Sequence, residues 1–255
     1  MSASLQLLPL ADFPRVEPGD DLVGQLAESL RHNGLSLEPG DVLVIAQKIV
    51  SKAEDRYARL ADIEPSARAL ELAKQCHKDP RQVELVLRES REVLRVRPGV
   101  MIVEHRNGYV HANAGIDRSN IPTSADDPRV LLLPENPDAS AEQIRQGLAT
   151  HFGIAPQVII NDSFGRAWRN GTVGIAIGCA GLAPVLDQIG ETDLFGNVLE
   201  VTEPAVADEL AAAASLVMGQ AAQGCPVVLA RGVRFEHSDG GSSPLLRERE
   251  LDMFR

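Results

Sequence analysis

The stretch 161–181 reads NDSFGRAWRNGTVGIAIGCAG, and we interpret it as the segment around which the rest of the chain is organised. The apolar run 158–160 just before it predicts a short buried strand, which delivers Asp162 at or just past its end. A carboxylate, a hydroxyl, two guanidiniums and the only tryptophan of the chain then follow in a predicted loop: Asp162, Ser163, Arg166, Trp168 and Arg169. Carboxylates suit hard metal ions and guanidiniums suit phosphate or carboxylate groups, so this loop predicts a site for a cation and an anionic substrate. The alternative is a solvated turn with a packing tryptophan.

The composition predicts a large aliphatic core and an acidic surface. Of the 255 residues, 44% are hydrophobic and only 4% aromatic, and this length allows one large domain or two small ones. No apolar run is long enough to span a bilayer and the N-terminus lacks a signal-peptide pattern, so we expect a cytoplasmic protein. The net charge of −11 argues against non-specific binding to nucleic acid or membranes, and an anionic ligand would need a locally basic pocket.

Several well-known catalytic motifs are absent from the sequence. There is no GxxxxGK[ST] phosphate loop, no GxGxxG after a strand and no GxSxG nucleophile motif. The six histidines are scattered, and we interpret each as a surface or core residue rather than a ligand. The cysteines have no metal-ligand spacing and are expected to be reduced thiols, mostly buried: Cys76, Cys179 and Cys225.

Apolar periodicity, capping residues and turn signals predict the secondary structure. Strands are predicted within 5–18 and at 41–50, 100–105, 109–113, 131–133, 158–160, 172–178, 198–202 and 226–233. Helices are predicted from Asp20 or Asp21 to Asn33, from Pro65 to about His77, from Pro80 to about Arg95, from Ser140 to about Phe152 and from Pro204 to about Met218. Asn107 and Gly108 predict a hairpin turn with positive φ at both positions, and Ser140 with Gln143 predicts a capping box.

The order of these elements predicts the fold class. Strands and helices are mixed without a clean βαβ alternation, which favours an α+β fold over a doubly wound parallel sheet. Residues 237–244 read HSDGGSSP and predict a flexible linker, followed by a peripheral helix at 245–255. We therefore divide the chain into a main unit at 1–235 and a linker with a C-terminal tail at 236–255.

Three polar segments follow predicted strands: QKIVSK at 47–52, AGIDRSN at 114–120 and NDSFGR at 161–166. Asp117 and Asp162 could share Mg²⁺ or Mn²⁺, which takes one or two carboxylates and leaves its other positions to water and phosphate. The lysines of the first segment and Asn120 could then contact a nucleotide. Asp, Ser and Asn also favour turns for local reasons, which is the alternative explanation for each segment alone.

These segments also resemble a known family. The runs GDVLVIAQKIVSKAEDR, HANAGIDRSN, NDSFGRAWRNGTVGIAIGCAGL, DLFGN and VADELAAAASLVMGQ occur in the order found in the coenzyme F-420-0:L-glutamate ligase family. That family includes the N-terminal ligase part of a mycobacterial two-domain enzyme. The resemblance covers roughly residues 5–235 and leaves the tail outside.

The resemblance implies a GTP-dependent ligase that adds L-glutamate to the deazaflavin coenzyme F-420-0 through an acyl phosphate, and then adds further γ-linked glutamates. It implies Mg²⁺ or Mn²⁺, a monovalent cation such as K⁺, a two-lobed α+β fold specific to the family and an interlocked homodimer. It leaves open how many glutamates are added and which precursor is used. Only the resemblance, and no feature of the residues themselves, favours GTP over ATP.

The resemblance also assigns site residues by position. The metal ligands would be Asp117 and Asp162 at a first ion, with Ser163 and Gln220 at a second. Gln220 stands where some members have a glutamate, and an amide oxygen is the poorer ligand for a hard dication. The nucleotide contacts would be Asp12, Phe13, Pro14, Arg15, Gln47, Lys48, Lys52, Asn120, Met218, Gly219, Gln220, Ala221, Ala222, Gln223, Gly224 and Cys225.

We assign catalytic roles to the two aspartates, to Lys52 beside the developing phosphate charge and to Arg166 as a grip on the anionic coenzyme or glutamate. Arg169 could do the same or form a structural salt bridge, and we interpret Trp168 as a packing residue. No residue stands out as the base for the incoming amine. Alternative functions are a GTP and metal-dependent ligase for another carboxylate, a metal-dependent phosphohydrolase and a non-catalytic nucleotide-binding module.

Overall fold

A computed structural model describes residues 4–253, which form a mixed α/β structure consistent with the predicted α+β class. The described strands are β1 (Gln6–Pro9), β2 (Val42–Ala46), β3 (Tyr57–Arg59), β4 (Ser90–Arg97), β5 (Val100–His105), β6 (Val110–Ala112), β7 (Arg129–Leu131), β8 (Gln157–Arg166), β9 (Arg169–Ala180) and β10 (Val227–Arg231). The described α-helices are α1 (Leu22–His32), α2 (Gln47–Ala53), α3 (Ala67–Cys76), α4 (Pro80–Arg88), α5 (Pro137–Phe152) and α6 (Val206–Met218). Within the same residues, no helix is both long and apolar enough to cross a membrane.

The largest described sheet has five strands in the order β1-β10-β2-β8-β9. β2 and β8 run parallel, and the other neighbouring pairs are antiparallel. Alternate residues of β2 point to opposite faces, so Leu43 and Ile45 join the core beneath α1 and α5 while Val42 and Val44 pack with α6. Both faces are buried, which explains why β2 is a continuous apolar run.

A second core lies between α3, α4 and the sheet β4-β5-β6. Leu72, Val83 and Met101 are among its buried side chains. β3 and β7 form a separate two-stranded ribbon, and an isolated bridge joins Asp117 to Leu131 at its end. This bridge fixes the backbone of one candidate carboxylate beside β7.

Several predicted boundaries are confirmed. Asp21 caps α1 by accepting a hydrogen bond from the Gly24 amide at 3.0 Å, Ser66 caps α3, and Pro80 is the first residue of α4. The predicted hairpin forms between β5 and β6, although only Gly108 of its turn has positive φ. Two of the three cysteines are buried and all three are free thiols, as expected.

Two segments near the site are regular structure where the sequence analysis predicts otherwise. The strand predicted at 41–50 ends at Ala46, and α2 begins at Gln47; the branched pair Ile49 and Val50 packs into the core from a helix instead. The loop predicted after residue 160 is a β-hairpin, because the backbone of β8 continues to pair with β9. Trp168 lies at its tip and is 81% exposed, so its interpretation as a packing residue is wrong.

Other predicted elements have different bounds in the structure. The helix from Pro80 ends at Arg88, and the following residues form β4 rather than a further helical turn. The strand predicted at 131–133 lies two residues earlier as β7, and 198–202 forms only the bridge from Thr192 to Val198. α5 begins at Pro137 with Asn136 as its cap, which replaces the predicted cap Ser140.

The C-terminal segment packs on the main body up to residue 253. Ser242 is buried and donates backbone and side-chain hydrogen bonds to Asp138 at 2.9 and 3.1 Å. Arg249 pairs with Glu92 and Glu104 at 2.5 and 3.3 Å. The predicted peripheral helix is replaced by two 3₁₀ turns, Ser243–Leu245 and Arg249–Leu251. The domain boundary at 235 remains a prediction.

A buried ionic cluster centred on Glu89 ties three parts of the chain together. Its carboxylate lies 3.0 Å from Arg56 Nη2, 3.4 Å from Arg106 Nη2 and 3.6 Å from His105 Nε2. Burial alone would raise the pKa of Glu89, but the nearby His105 ring and the charges of Arg106 and Arg56 outweigh it and lower the pKa. The contribution to stability is therefore present above the unfolded pKa and is lost as the pH falls through the lower folded value.

Glu89→Gln should lower the free energy of unfolding at pH 7 by about 2 kcal/mol, because two buried guanidiniums lose their counter-charge. The difference from wild type should shrink in acid, measured by urea unfolding at several pH values. Glu142→Gln is the matched control, since it breaks only the surface pair with Arg145 and should change stability by less than about 1 kcal/mol. A difference for Glu89→Gln that does not depend on pH would contradict this assignment.

Candidate active site

A cavity of about 790 Å³ lies at the end of β2 and beside the middle of β8. The two strands are parallel and pair Ala46 with Asn161, so the residues that follow each partner meet at one edge of the sheet. From β2 the chain enters α2 and contributes Lys48 and Lys52, while β8 contributes Asp162. The turn after β6 and the loop after α6 complete the wall. In open sheets this kind of edge is a common place for ligands.

Asp117 is held by a network of short contacts at the cavity wall. Its Oδ2 lies 2.6 Å from Lys48 Nζ, and its Oδ1 accepts hydrogen bonds from the Ser119 amide and hydroxyl at 3.0 and 2.8 Å. Burial alone would raise the pKa of Asp117, but the hydrogen bonds from Lys48 and Ser119 outweigh it and lower the pKa. Asp117 is therefore a charged oxygen donor at neutral pH.

Asp162 faces the same cavity from β8. Its Oδ2 lies 3.4 Å from Nε2 of His111, and the His111 ring stacks on Phe164 with a centroid distance of 3.7 Å. Asn161, the preceding residue, is buried and donates to Ser215 Oγ at 3.0 Å, which joins this part of β8 to α6. Asp162 thus sits on a rigid strand with packed neighbours on both sides.

The loop after α6 is tied to both candidate carboxylate segments. Ser163 Oγ donates to Gln220 Oε1 at 2.7 Å, and Asn120 Nδ2 donates to the Ala221 carbonyl at 3.1 Å. These two bonds close the third side of the cavity. Because Ser163 and Gln220 satisfy each other, they form a neutral pair rather than a site with a free charged ligand.

Three cationic side chains line the cavity: Arg15, Lys48 and Lys52. They stand beside three carboxylates, Glu17, Asp117 and Asp162, so the cavity is less acidic than the chain as a whole, whose net charge is −11. Burial lowers the pKa of Lys52, and the charges of Lys48 and Arg15 lower it further. An anionic ligand would relieve this repulsion. The wall therefore suits phosphate groups better than a neutral ligand.

The structure brings most of the predicted site residues to this one cavity: Phe13, Pro14, Arg15, Gln47, Lys48, Lys52, Asp117, Asn120, Asp162, Ser163, Met218, Gly219, Gln220, Ala221, Ala222, Gly224 and Cys225. Three others do not line it. Asp12 lies in an exposed turn, Gln223 accepts a hydrogen bond from the Ala221 amide within its own loop, and Arg166 donates to the Asn170 carbonyl in the hairpin.

The donors fit one divalent cation of the hard, oxygen-binding kind. Among residues 4–253, no three His, Cys, Asp or Glu side chains converge as a ready-made metal cluster. Mg²⁺ and Mn²⁺ do not need one, since one or two carboxylates suffice when substrate phosphates and water complete the shell. Asp117 and Asp162 meet this requirement in a cavity that cationic side chains also line. Ser163 and Gln220 offer only neutral oxygens, a weaker set for a second ion.

Sequence reasoning missed His111, which lines the cavity and is only 8% exposed. A signal was present, because His111 and Asp117 lie in one continuous motif, HANAGID. Ser119 was also assigned no role although it holds Asp117. Gln47 was predicted as a nucleotide contact; its buried side chain lines the cavity and accepts a hydrogen bond from Ser51 Oγ at 2.8 Å, and the nucleotide contact stays a prediction.

Comparison with known proteins agrees with the resemblance noted in the sequence. A family model described as F420-0:Gamma-glutamyl ligase matches residues 11–232. A Coenzyme F420:L-glutamate ligase from Methanothermobacter thermautotrophicus is 49% identical over 253 residues, covering 98% of this chain and 99% of that protein. Relatives of the same name from Methanopyrus kandleri and Archaeoglobus fulgidus are 44% and 40% identical, over 99% and 98% of this chain and 98% and 96% of their own. The chain belongs to the F420-0:gamma-glutamyl ligase family.

Proposed function

We propose that this protein uses GTP to join L-glutamate to the carboxylate of coenzyme F420-0, and then adds glutamate through γ-links. The observation that carries the proposal is one cavity lined by three carboxylates, Glu17, Asp117 and Asp162, and by three cationic side chains. The family and the names of the relatives supply the acceptor and the amino acid. The cavity would supply what the chemistry needs, which is a place for polyphosphate beside a divalent cation.

Amide formation from a free carboxylate needs an activated acyl group. In the proposed reaction a carboxylate oxygen attacks the γ-phosphorus of GTP and GDP leaves. The glutamate amine then attacks the acyl carbon and phosphate leaves. A divalent cation held by Asp117 and Asp162 would neutralise charge on the phosphate oxygens when bound. Protein groups mainly position the reactants and balance charge in such transfers.

The cationic residues have separable tasks in this scheme. Lys52, whose pKa is lowered by burial, lines the cavity and would stabilise the transferring phosphoryl group. Lys48 would exchange its contact with Asp117 for a phosphate oxygen once a metal ion binds the carboxylate. Arg166 lies outside the cavity wall, and its buried Nε makes no hydrogen bond within residues 4–253. We assign it to an anionic part of the coenzyme that extends beyond the cavity.

The proposal is tested with purified protein, F420-0, L-glutamate, a nucleotide, Mg²⁺ or Mn²⁺ and K⁺, followed by mass spectrometry. We expect products longer by successive glutamate masses, GDP and phosphate in equal amounts, and faster turnover with GTP than with ATP and with K⁺ than with Na⁺. A folded protein that makes no such product would refute the proposal. Phosphate release without glutamate would indicate a phosphohydrolase, and activity only on another carboxylate would change the acceptor.

We also propose a homodimer. Large apolar side chains project from the loop that follows β9: Leu194 is fully exposed, Phe195 is 90% exposed and Val201 is 83% exposed. Contiguous apolar exposure of this kind marks interaction surfaces, and a second copy of the chain is the proposed occupant. The double variant Leu194→Ser, Phe195→Ser should shift the mass by light scattering from dimer to monomer. A wild-type monomer would refute the proposal.

A further inference from the structure

We infer that His111 is a positioning residue for Asp162, holding the carboxylate in the orientation that binds the divalent cation. The inference rests on the proposed metal-dependent function and adds a residue to it. His111 is 8% exposed, and its Nε2 lies 3.4 Å from Asp162 Oδ2. With its proton on Nε2, the imidazole would direct its N–H at this oxygen and hold the carboxylate toward the cavity.

The imidazole is held on one face of its plane and at its edge. The Phe164 ring stacks against it at 3.7 Å with an angle of 11° between the planes. A Cβ placed on Gly115 would lie 3.0 Å from His111 Cδ2, so only glycine leaves the ring its space. Gly115 also has a φ of +68°, which other residues rarely adopt. The ring therefore has little freedom to turn away from Asp162.

The same segment places the other candidate carboxylate. After His111 the chain coils through Asn113, Ala114 and Gly115, which all have positive φ, and reaches Asp117 two residues later. Positive φ at two non-glycine residues in succession costs free energy and persists only where the surroundings fix it. Asn113 is fixed in part by its Oδ1, which accepts the Met101 amide at 3.1 Å. One short turn thus positions Asp117 directly and Asp162 through His111.

Groups that orient a metal-binding side chain typically change metal affinity about 10–100-fold when removed. His111→Phe keeps a flat ring for stacking on Phe164 and removes the donor. His111→Gln replaces the ring but can place an amide N–H near the position of Nε2. The affinity for Mn²⁺ alone is measured by calorimetry on full-length protein, with thermal unfolding of each variant alongside.

His105→Phe is the matched control. His105 is also a buried histidine, stacked on Tyr109 with Nε2 3.6 Å from a carboxylate, but that carboxylate is Glu89 outside the cavity. We expect His111→Phe to raise the Kd for Mn²⁺ about tenfold or more, and His111→Gln to recover most of the loss. His105→Phe should lower thermal stability and leave the Kd within about twofold of wild type, because His105 does not line the cavity.

The variant Asp162→Asn, titrated with Mn²⁺ in the same way, separates the proposed metal site from the inference about His111. Failure of wild type to bind Mn²⁺, or indifference to Asp162→Asn, would refute the metal site itself. If Asp162→Asn weakens binding and His111→Phe does not, only the inference about His111 fails. Equal losses in His111→Phe and His111→Gln would also overturn it, because a hydrogen-bond donor would then not be the property that matters.

Discussion

Asp162→Asn should lower the rate of glutamate addition by at least about a thousandfold, equivalent to roughly 4 kcal/mol of transition-state stabilisation. The substitution keeps the shape of the side chain on β8 and its contact with His111. It removes one of three carboxylate charges in a cavity that three cations also line. Since the proposed metal ion on the phosphates would depend on Asp117 and Asp162, the chemical step should suffer more than nucleotide binding.

The rate is measured by mass spectrometry over a range of Mg²⁺ concentrations, with folding checked by circular dichroism. The half-saturating Mg²⁺ concentration should rise in the variant. Asp208→Asn is the control, because Asp208 is a half-buried carboxylate that accepts the Ala176 amide at 2.9 Å and does not line the cavity. Burial raises the pKa of Asp208, and because this side chain lies outside the cavity, activity should stay near wild type. Near-normal turnover with Asp162→Asn would contradict the metal role.

The members of the site could be predicted from sequence better than their geometry. Asp117, Asp162 and Lys52 each follow an apolar run, and polar residues just after buried strands tend to meet at one sheet edge. The parallel pairing of β2 with β8 that brings two of these segments together joins residues more than a hundred positions apart. No local pattern encodes such a pairing, so only the family resemblance could join the segments beforehand.

Local conformation was harder to predict at the site itself. The run 41–50 is rich in branched residues, and its continuation as a strand was the natural expectation; burial of Ile49 and Val50 from a helix decides otherwise. In 161–166 the polar side chains indicated a loop, yet the backbone pairs along the whole segment with β9. Tertiary pairing overrides propensity in both places. For His111, the ring contact with Phe164 depends on packing between β6 and β8, which the sequence does not show.

Asp117 would have two successive partners in the proposed reaction. Its Oδ2 contacts Lys48 at 2.6 Å, which gives the partly buried carboxylate a counter-charge. Under the proposed function, a bound metal ion would displace the lysine toward the phosphates that arrive with it. Metal and nucleotide binding would then be coupled, because the phosphates would take over the lysine that the metal ion displaces from Asp117.

Gly174→Val should destabilise the fold by at least about 3 kcal/mol, the upper range for overpacking in a close-packed interior. A Cβ at this position of β9 would fall inside the contact distance of the Ala211 carbonyl and of Ser215 Oγ, both on α6. The carbonyl belongs to helix backbone and cannot turn aside, so α6 would have to move off the sheet. For a chain of this size the melting temperature should fall by roughly 6–12 °C.

The displacement of α6 should also disturb the candidate active site. Ser215 holds Asn161, the neighbour of Asp162, and α6 leads into the loop whose Gln220 bonds Ser163. Gly165→Ala in the same hairpin is the matched control, since an added Cβ there meets nothing within 4 Å and no positive φ is required. Its stability should stay within about 0.5 kcal/mol of wild type. Equal effects of the two substitutions in calorimetry would show that loss of glycine flexibility, and not the contact between β9 and α6, sets the stability of this hairpin.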